Sequence, residues 1–249
     1  MKITIRAVLL SAIVVALLPG CSTPGAVSST PDERFREGEK LFANKNYEAA
    51  IEQWKKVKES FLSPEVTAKA ELNIANAYFL NKDYIEAAAA YEDFRKLHPR
   101  HEQAGYALYQ QAMSYYLQIH GIDTDQTPVE SALGLFEAYL KLYPGGEYAA
   151  DADALRVKCR DKQLEYEIYV GKFYMSTNKY PAALGRFERA LKNFEKLPHQ
   201  AELLLLLGET YLKAEQKPKG RETLERLLAD YPNSPHANEA RELLKDSHG

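Results

Sequence analysis

Five times along this chain a small residue is followed three positions later by a large one, and past a turn a second small residue is followed four positions later by an aromatic or leucine. The pairs are Gly38/Leu41 with Ala50/Trp54, Ala75/Tyr78 with Ala87/Tyr91, Ala112/Tyr115 with Ala132/Phe136, Gly171/Tyr174 with Ala183/Phe187, and Gly208/Tyr211 with Gly220/Leu224. Residues three or four apart share one face of a helix, so each unit reads as two helices that approach at the small positions and fill the gap with the large ones. Pro99, Pro144 and Pro232 close the second helix of their units, because the residue before a proline is pushed out of the helical region.

This pattern resembles the tetratricopeptide repeat, a helix-turn-helix unit that stacks into a solenoid. Aligned on their small residues, the helix pairs fall at 34–61, 69–98, 104–143, 164–195 and 201–231. Prolines and glycines sit mostly between periodic segments and few runs alternate like strands, so the fold class is all-α.

Gly38, Ala75 and Ala112 are spaced by 37 residues, as are Gly171 and Gly208, but 59 residues separate Ala112 from Gly171. Part of the excess is a loop-forming stretch in unit three, Gly121 to Pro128. The rest is Glu147 to Tyr174, which lacks proline and turn clusters and is expected as one long helix closing unit three and opening unit four. The expected solenoid thus has about five helix pairs in two arms, 33–146 with three repeats and 147–249 with the connecting helix and two more.

Lys2 and Arg6 precede an apolar run from Ala7 to Leu18, too short to span a bilayer and ordered like a secretory signal. The run meets Leu18-Pro19-Gly20-Cys21, which resembles a bacterial lipobox. That reading makes residues 1–20 a signal peptide and Cys21 an acylated N-terminus, since two or more acyl chains anchor stably. Ordinary cleavage leaving Cys21 as a plain thiol is the alternative, although no Ala-x-Ala site lies nearby. Residues 21–32 carry almost nothing to bury before Asp32 and read as a flexible tether. Ser22 is unlike the aspartate that retains lipoproteins at the inner membrane, which points to the outer membrane facing the periplasm.

Acidic side chains number 35 against 32 basic ones, two of which, Lys2 and Arg6, lie in the signal. This balance, without basic clusters interleaved with aromatics, argues against nucleic acid. With Cys21 lipidated, Cys159 has no partner for a disulfide and reads as a small apolar core residue. His98 and His101 lie in a turn without ligands at metal spacings, so neither a metal nor a cofactor is expected. No Gly-x-Ser-x-Gly elbow or phosphate loop appears, and the chain reads as non-enzymatic.

In such repeats the first helix lines the concave face. The positions concerned hold Asp32, Phe35, Glu39, Phe42 and Ala43 in unit one, Lys69, Leu72, Asn76, Phe79 and Leu80 in unit two, and Tyr106, Tyr109, Met113, Tyr116 and Leu117 in unit three. So aromatic a face suits an unfolded peptide, with Asn76 able to bond its backbone, although side chains that pack into neighbouring repeats would give the same pattern. The equivalent face of the second arm is mixed in charge, from Glu165 and Lys172 to Glu209 and Lys213. Arg186, Arg189 and Lys192 share a face of unit four, either as a solvated surface or as a match for an acidic partner.

The lipobox, the repeats, Asp123-x-Asp125-Gln126-Thr127 in the insertion, Leu142-Tyr143-Pro144-Gly145-Gly146-Glu147-Tyr148-Ala149, and the segment from Arg160 to Tyr174 occur together. That combination resembles the BamD family of outer-membrane protein assembly factors. The resemblance implies a lipid-anchored scaffold of the machinery that inserts β-barrels, with unfolded outer-membrane proteins as clients of the first arm. It further implies docking of the second arm on a BamA-type barrel subunit, with Arg160, Lys162, Arg186, Arg189 and Lys192 as candidates, alongside other lipoproteins of the machinery. The alternative is another periplasmic repeat lipoprotein, organising cell-wall or Tol-Pal division proteins.

Overall fold

The computed structural model describes residues 30–60 and 63–247. The signal, Cys21 and most of the tether lie outside the described residues. The body from Pro31 onward consists, among those residues, of helices alone: α1 (Pro31–Ala43), α2 (Tyr47–Glu59), α3 (Pro64–Leu80), α4 (Tyr84–Leu97), α5 (Ala104–Tyr116), α6 (Thr127–Leu142), α7 (Ala149–Ser176), α8 (Tyr180–Asn193), α9 (Gln200–Lys213), α10 (Lys217–Asp230) and α11 (Ala237–Asp246). Each helix packs chiefly on its neighbours in sequence, as a solenoid requires.

The large residue of each second helix carries the packing. Trp54, Tyr91, Phe136, Phe187 and Leu224 are all 1% exposed or less. Opposite them lie Gly38, Ala75, Ala112, Gly171 and Gly208, all buried. Fully burying such a side chain is worth about 1.5–3 kcal/mol, so these contacts dominate each unit.

The turns inside four units are copies of one another. Lys45, Lys82, Asn178 and Glu215 adopt left-handed φ values of 61, 67, 57 and 60°. In each, that residue's N–H reaches the carbonyl three back and the next N–H the carbonyl five back, as Lys82 to Phe79 at 3.1 Å and Asp83 to Tyr78 at 3.0 Å. This double closure satisfies the orphan carbonyls of the helix end. Helices α4, α6 and α10 end two residues before Pro99, Pro144 and Pro232, where His98, Tyr143 and Tyr231 leave the helical region with ψ of 56, 59 and 55°.

Three expectations shift. The tether ends earlier than expected, because Pro31 already opens α1, where its fixed φ suits a first turn and Asp32 and Glu33 complement the helix dipole. The long helix runs Ala149–Ser176, two residues later than its sequence bounds. A further helix, α11, packs Ala237 and Ala240 beside Leu224 and Leu227 and closes the stack.

Helix α7 belongs to two cores. Its first half places Ala152, Leu155 and Cys159 with Leu108, Val129 and Phe136, and its second half places Leu164 and Ile168 with Ala183, Phe187 and Leu207. Cys159 is completely buried, and that burial pushes its thiol up to about 12.

Candidate functional site

The face formed by α1, α3 and α5 keeps most of the rings expected of it in half-buried positions. Phe35 and Phe42 lean on Trp54 with centroids 6.5 and 5.7 Å away. Phe79 meets Tyr84 at 5.6 Å, and Tyr116 meets Phe136 at 6.3 Å. Leu72 packs against the core around Tyr91 and Phe94. Each of these residues stays partly open to solvent.

Asn76 is the polar centre of this face. Its Oδ1 accepts from Tyr91 Oη at 2.7 Å and from Tyr106 Oη at 2.9 Å, and Tyr106 Oη in turn accepts from Gln110 Nε2 at 3.1 Å. The acceptor expected to bond a peptide is therefore occupied, and only the Nδ2 donor is left for one. Burial raises the Tyr91 phenol far above its ordinary value, with Tyr106 adding to the effect.

Tyr109 is corrected. It is 8% exposed, stacks on Tyr148 at 4.5 Å with planes 14° apart, and donates its hydroxyl to Asp151. Tyr148 enters from the loop before α7 and covers the ring, so Tyr109 belongs to the core rather than to the face. Burial and the Asp151 bond raise its phenol pKa.

Two leucines expected on this face are its most open large apolar residues. Leu80 and Leu117, each five positions after a small residue, are 49% and 39% exposed.

The basic candidates of the second arm divide. Arg160 donates Nη2 to the Asn193 carbonyl at 2.8 Å and lies 6.0 Å from the Phe194 ring centroid. Lys162 pairs with Glu165 at 2.7 Å, and Arg186 with Glu167 at 3.2 Å. Arg189 and Lys192 are exposed without an ion pair among the described residues, and Arg189 borders a cleft of about 370 Å³ shared with Gln126, Gln163 and Tyr166.

His98 is not isolated. Its Nε2 lies 2.6 Å from Glu71, which also pairs with Lys58 at 3.1 Å. Among the described residues no cluster of three or more His, Cys, Asp or Glu is placed to hold a metal, and no helix is long and apolar enough to cross a membrane.

The family model YfiO, outer membrane lipoprotein, matches residues 28–219. A BamD outer membrane protein assembly factor of Rickettsia prowazekii is 31% identical over 170 residues, covering 68% of each chain. That of Caulobacter vibrioides is 28% identical over 204 residues, covering 81% of this chain and 67% of its own. That of Neisseria meningitidis serogroup A is 25% identical over 219 residues, covering 81% and 82%. Among solved structures, a TPR repeats protein from Bacteroides fragilis superposes with a TM-score of 0.50 at 14% identity, over 88% of this chain and 99% of that one, which supports the repeat fold alone. The chain belongs to the YfiO family of outer membrane lipoproteins, in which the BamD assembly factors stand.

Proposed function

We propose that the protein is a non-enzymatic scaffold of outer-membrane β-barrel assembly, anchored at the periplasmic face through lipidated Cys21. Its first arm holds extended segments of unfolded outer-membrane proteins, and its second arm docks on a BamA-type barrel subunit beside other lipoproteins of the machinery.

The observation that carries this reading is the register of exposed leucines. The fifth position after the small residue holds Ala43, Leu80 and Leu117 in the first arm, the two leucines 49% and 39% exposed, but Ser176 and Lys213 in the second. Partly open rings at Phe35, Phe42, Phe79, Tyr106 and Tyr116 continue the same surface. Apolar side chains of a client bury here at about 25 cal/mol per Å², less the cost of ordering the segment, which gives weak, reversible capture suited to handover. Arg189 and Lys192, which bear no ion pair among the described residues, supply charge toward an acidic partner and act mainly on its rate of encounter.

Leu80→Ser combined with Leu117→Ser tests the capture. The pair should weaken binding of a labelled, aromatic-ended peptide several-fold in fluorescence anisotropy while circular dichroism stays unchanged. Unaltered affinity would remove this face from the account. Arg189→Glu with Lys192→Glu should reduce co-purification of the barrel subunit, and full recovery would exclude that surface.

A further inference from the structure

On the other side of the first arm, α4, α5 and α6 enclose an open cleft of about 460 Å³. Arg95 stands in it. One guanidinium nitrogen donates to Gln111 Oε1 at 2.5 Å, and no carboxylate among the described residues lies within ion-pair reach. A half-buried cation with no carboxylate in contact is incompletely compensated, and its remaining N–H donors are fixed in a planar fork that matches a carboxylate. Burial depresses the Arg95 pKa, although a guanidinium keeps its proton at any ordinary pH.

The rest of the lining agrees. Gln111 is 4% exposed, so the residue that orients Arg95 is itself locked in place. Tyr115 and Ser131 bring hydroxyl donors to the same cleft. Gly134 leaves the wall open, with nothing within 4 Å of where a β-carbon would stand. Of the two acids at the cleft, Glu92 acts on Arg95 only from beyond ion-pair distance and is held by Lys96 at 2.5 Å, and Glu130 is exposed.

We infer that this cleft is a carboxylate-binding site, taking an acidic side chain or a chain-terminal carboxylate of a peptide between the Arg95 fork and the Tyr115 and Ser131 hydroxyls. It lies on different helix faces from the client surface proposed above and does not depend on it.

The test titrates the full-length lipoprotein in detergent with three capped probes, following the arginine side-chain NMR signals. N-acetyl-Gly-Glu-Gly-amide presents a side-chain carboxylate, N-acetyl-Gly-Gly-Gly-OH a terminal one, and N-acetyl-Gly-Gln-Gly-amide neither. One or both acids should shift the Arg95 signal with millimolar saturation, the tighter one naming the source, while the glutamine peptide leaves it in place. Gly134→Leu, which fills the cleft and keeps the guanidinium, should weaken the acid at least tenfold. Arg95→Met, followed through the tyrosine ring signals because it lacks the guanidinium, should show no saturable response to either acid. Equal responses to the glutamate and glutamine peptides, or undiminished binding to the Gly134→Leu variant, would overturn the assignment.

Discussion

Gly171 of α7 faces the Phe187 ring of α8 with no room between them for a β-carbon. The same close approach joins Gly38 to Trp54 and Gly208 to Leu224, whereas Ala75 and Ala112 show that other units tolerate one methyl. The difference lies in how near each helix pair comes.

Gly171→Ala should therefore destabilise the protein. Overpacking costs about 1–3 kcal/mol, and the better helix propensity of alanine returns about 1. Urea denaturation should show a net loss of up to about 2 kcal/mol. Combined with Phe187→Leu, the loss should be smaller than the sum of the two single changes.

Lys82 is exposed and occupies a left-handed turn position at φ 67°. The conformation costs a non-glycine residue about 1–2 kcal/mol, partly offset by the extra freedom glycine has when unfolded. Lys82→Gly should raise stability by about 0.5–1 kcal/mol, read as a higher melting temperature. Lys45→Gly and Glu215→Gly, at the equivalent turns, should add to it.

Glu71 is 8% exposed and joins Lys58 of α2 and His98 at the end of α4. Glu71→Ala leaves both partners without their shared acceptor and should cost about 1–3 kcal/mol. Glu71→Gln, which keeps one acceptor, should cost less. Thermal melts of the two variants check the order.

Tyr91, Tyr109 and Tyr211 all have phenol pKa values raised above the ordinary 10.0, chiefly by burial. The unfolded chain releases these protons first, so the stability they contribute is complete below pH 10 and falls as pH rises toward the folded values. Alkaline titration should show their tyrosinate absorbance appearing together with loss of helicity. Ionisation of all 17 tyrosines before any unfolding would contradict this.

The helix pairs were legible because packing at the small positions leaves a strict spacing, and every large residue opposite them is buried. Tyr109 was misplaced for a related reason: spacing assigns a residue to a helix face, but it does not say that Tyr148 will fold over that face from a later loop. The Arg95 cleft was invisible because its parts come from three helices with no common period. Helix α11 escaped notice because it lacks the small-large pairing and follows Pro232 and Pro235, although its two buried alanines suit a closing helix.

The unbroken hydrogen-bond ladder of α7 leaves the molecule no hinge between Cys159 and Leu164, so neither half can melt without fraying into its neighbour. A single cooperative transition, rather than two, is the thermal signature of a helix held in common.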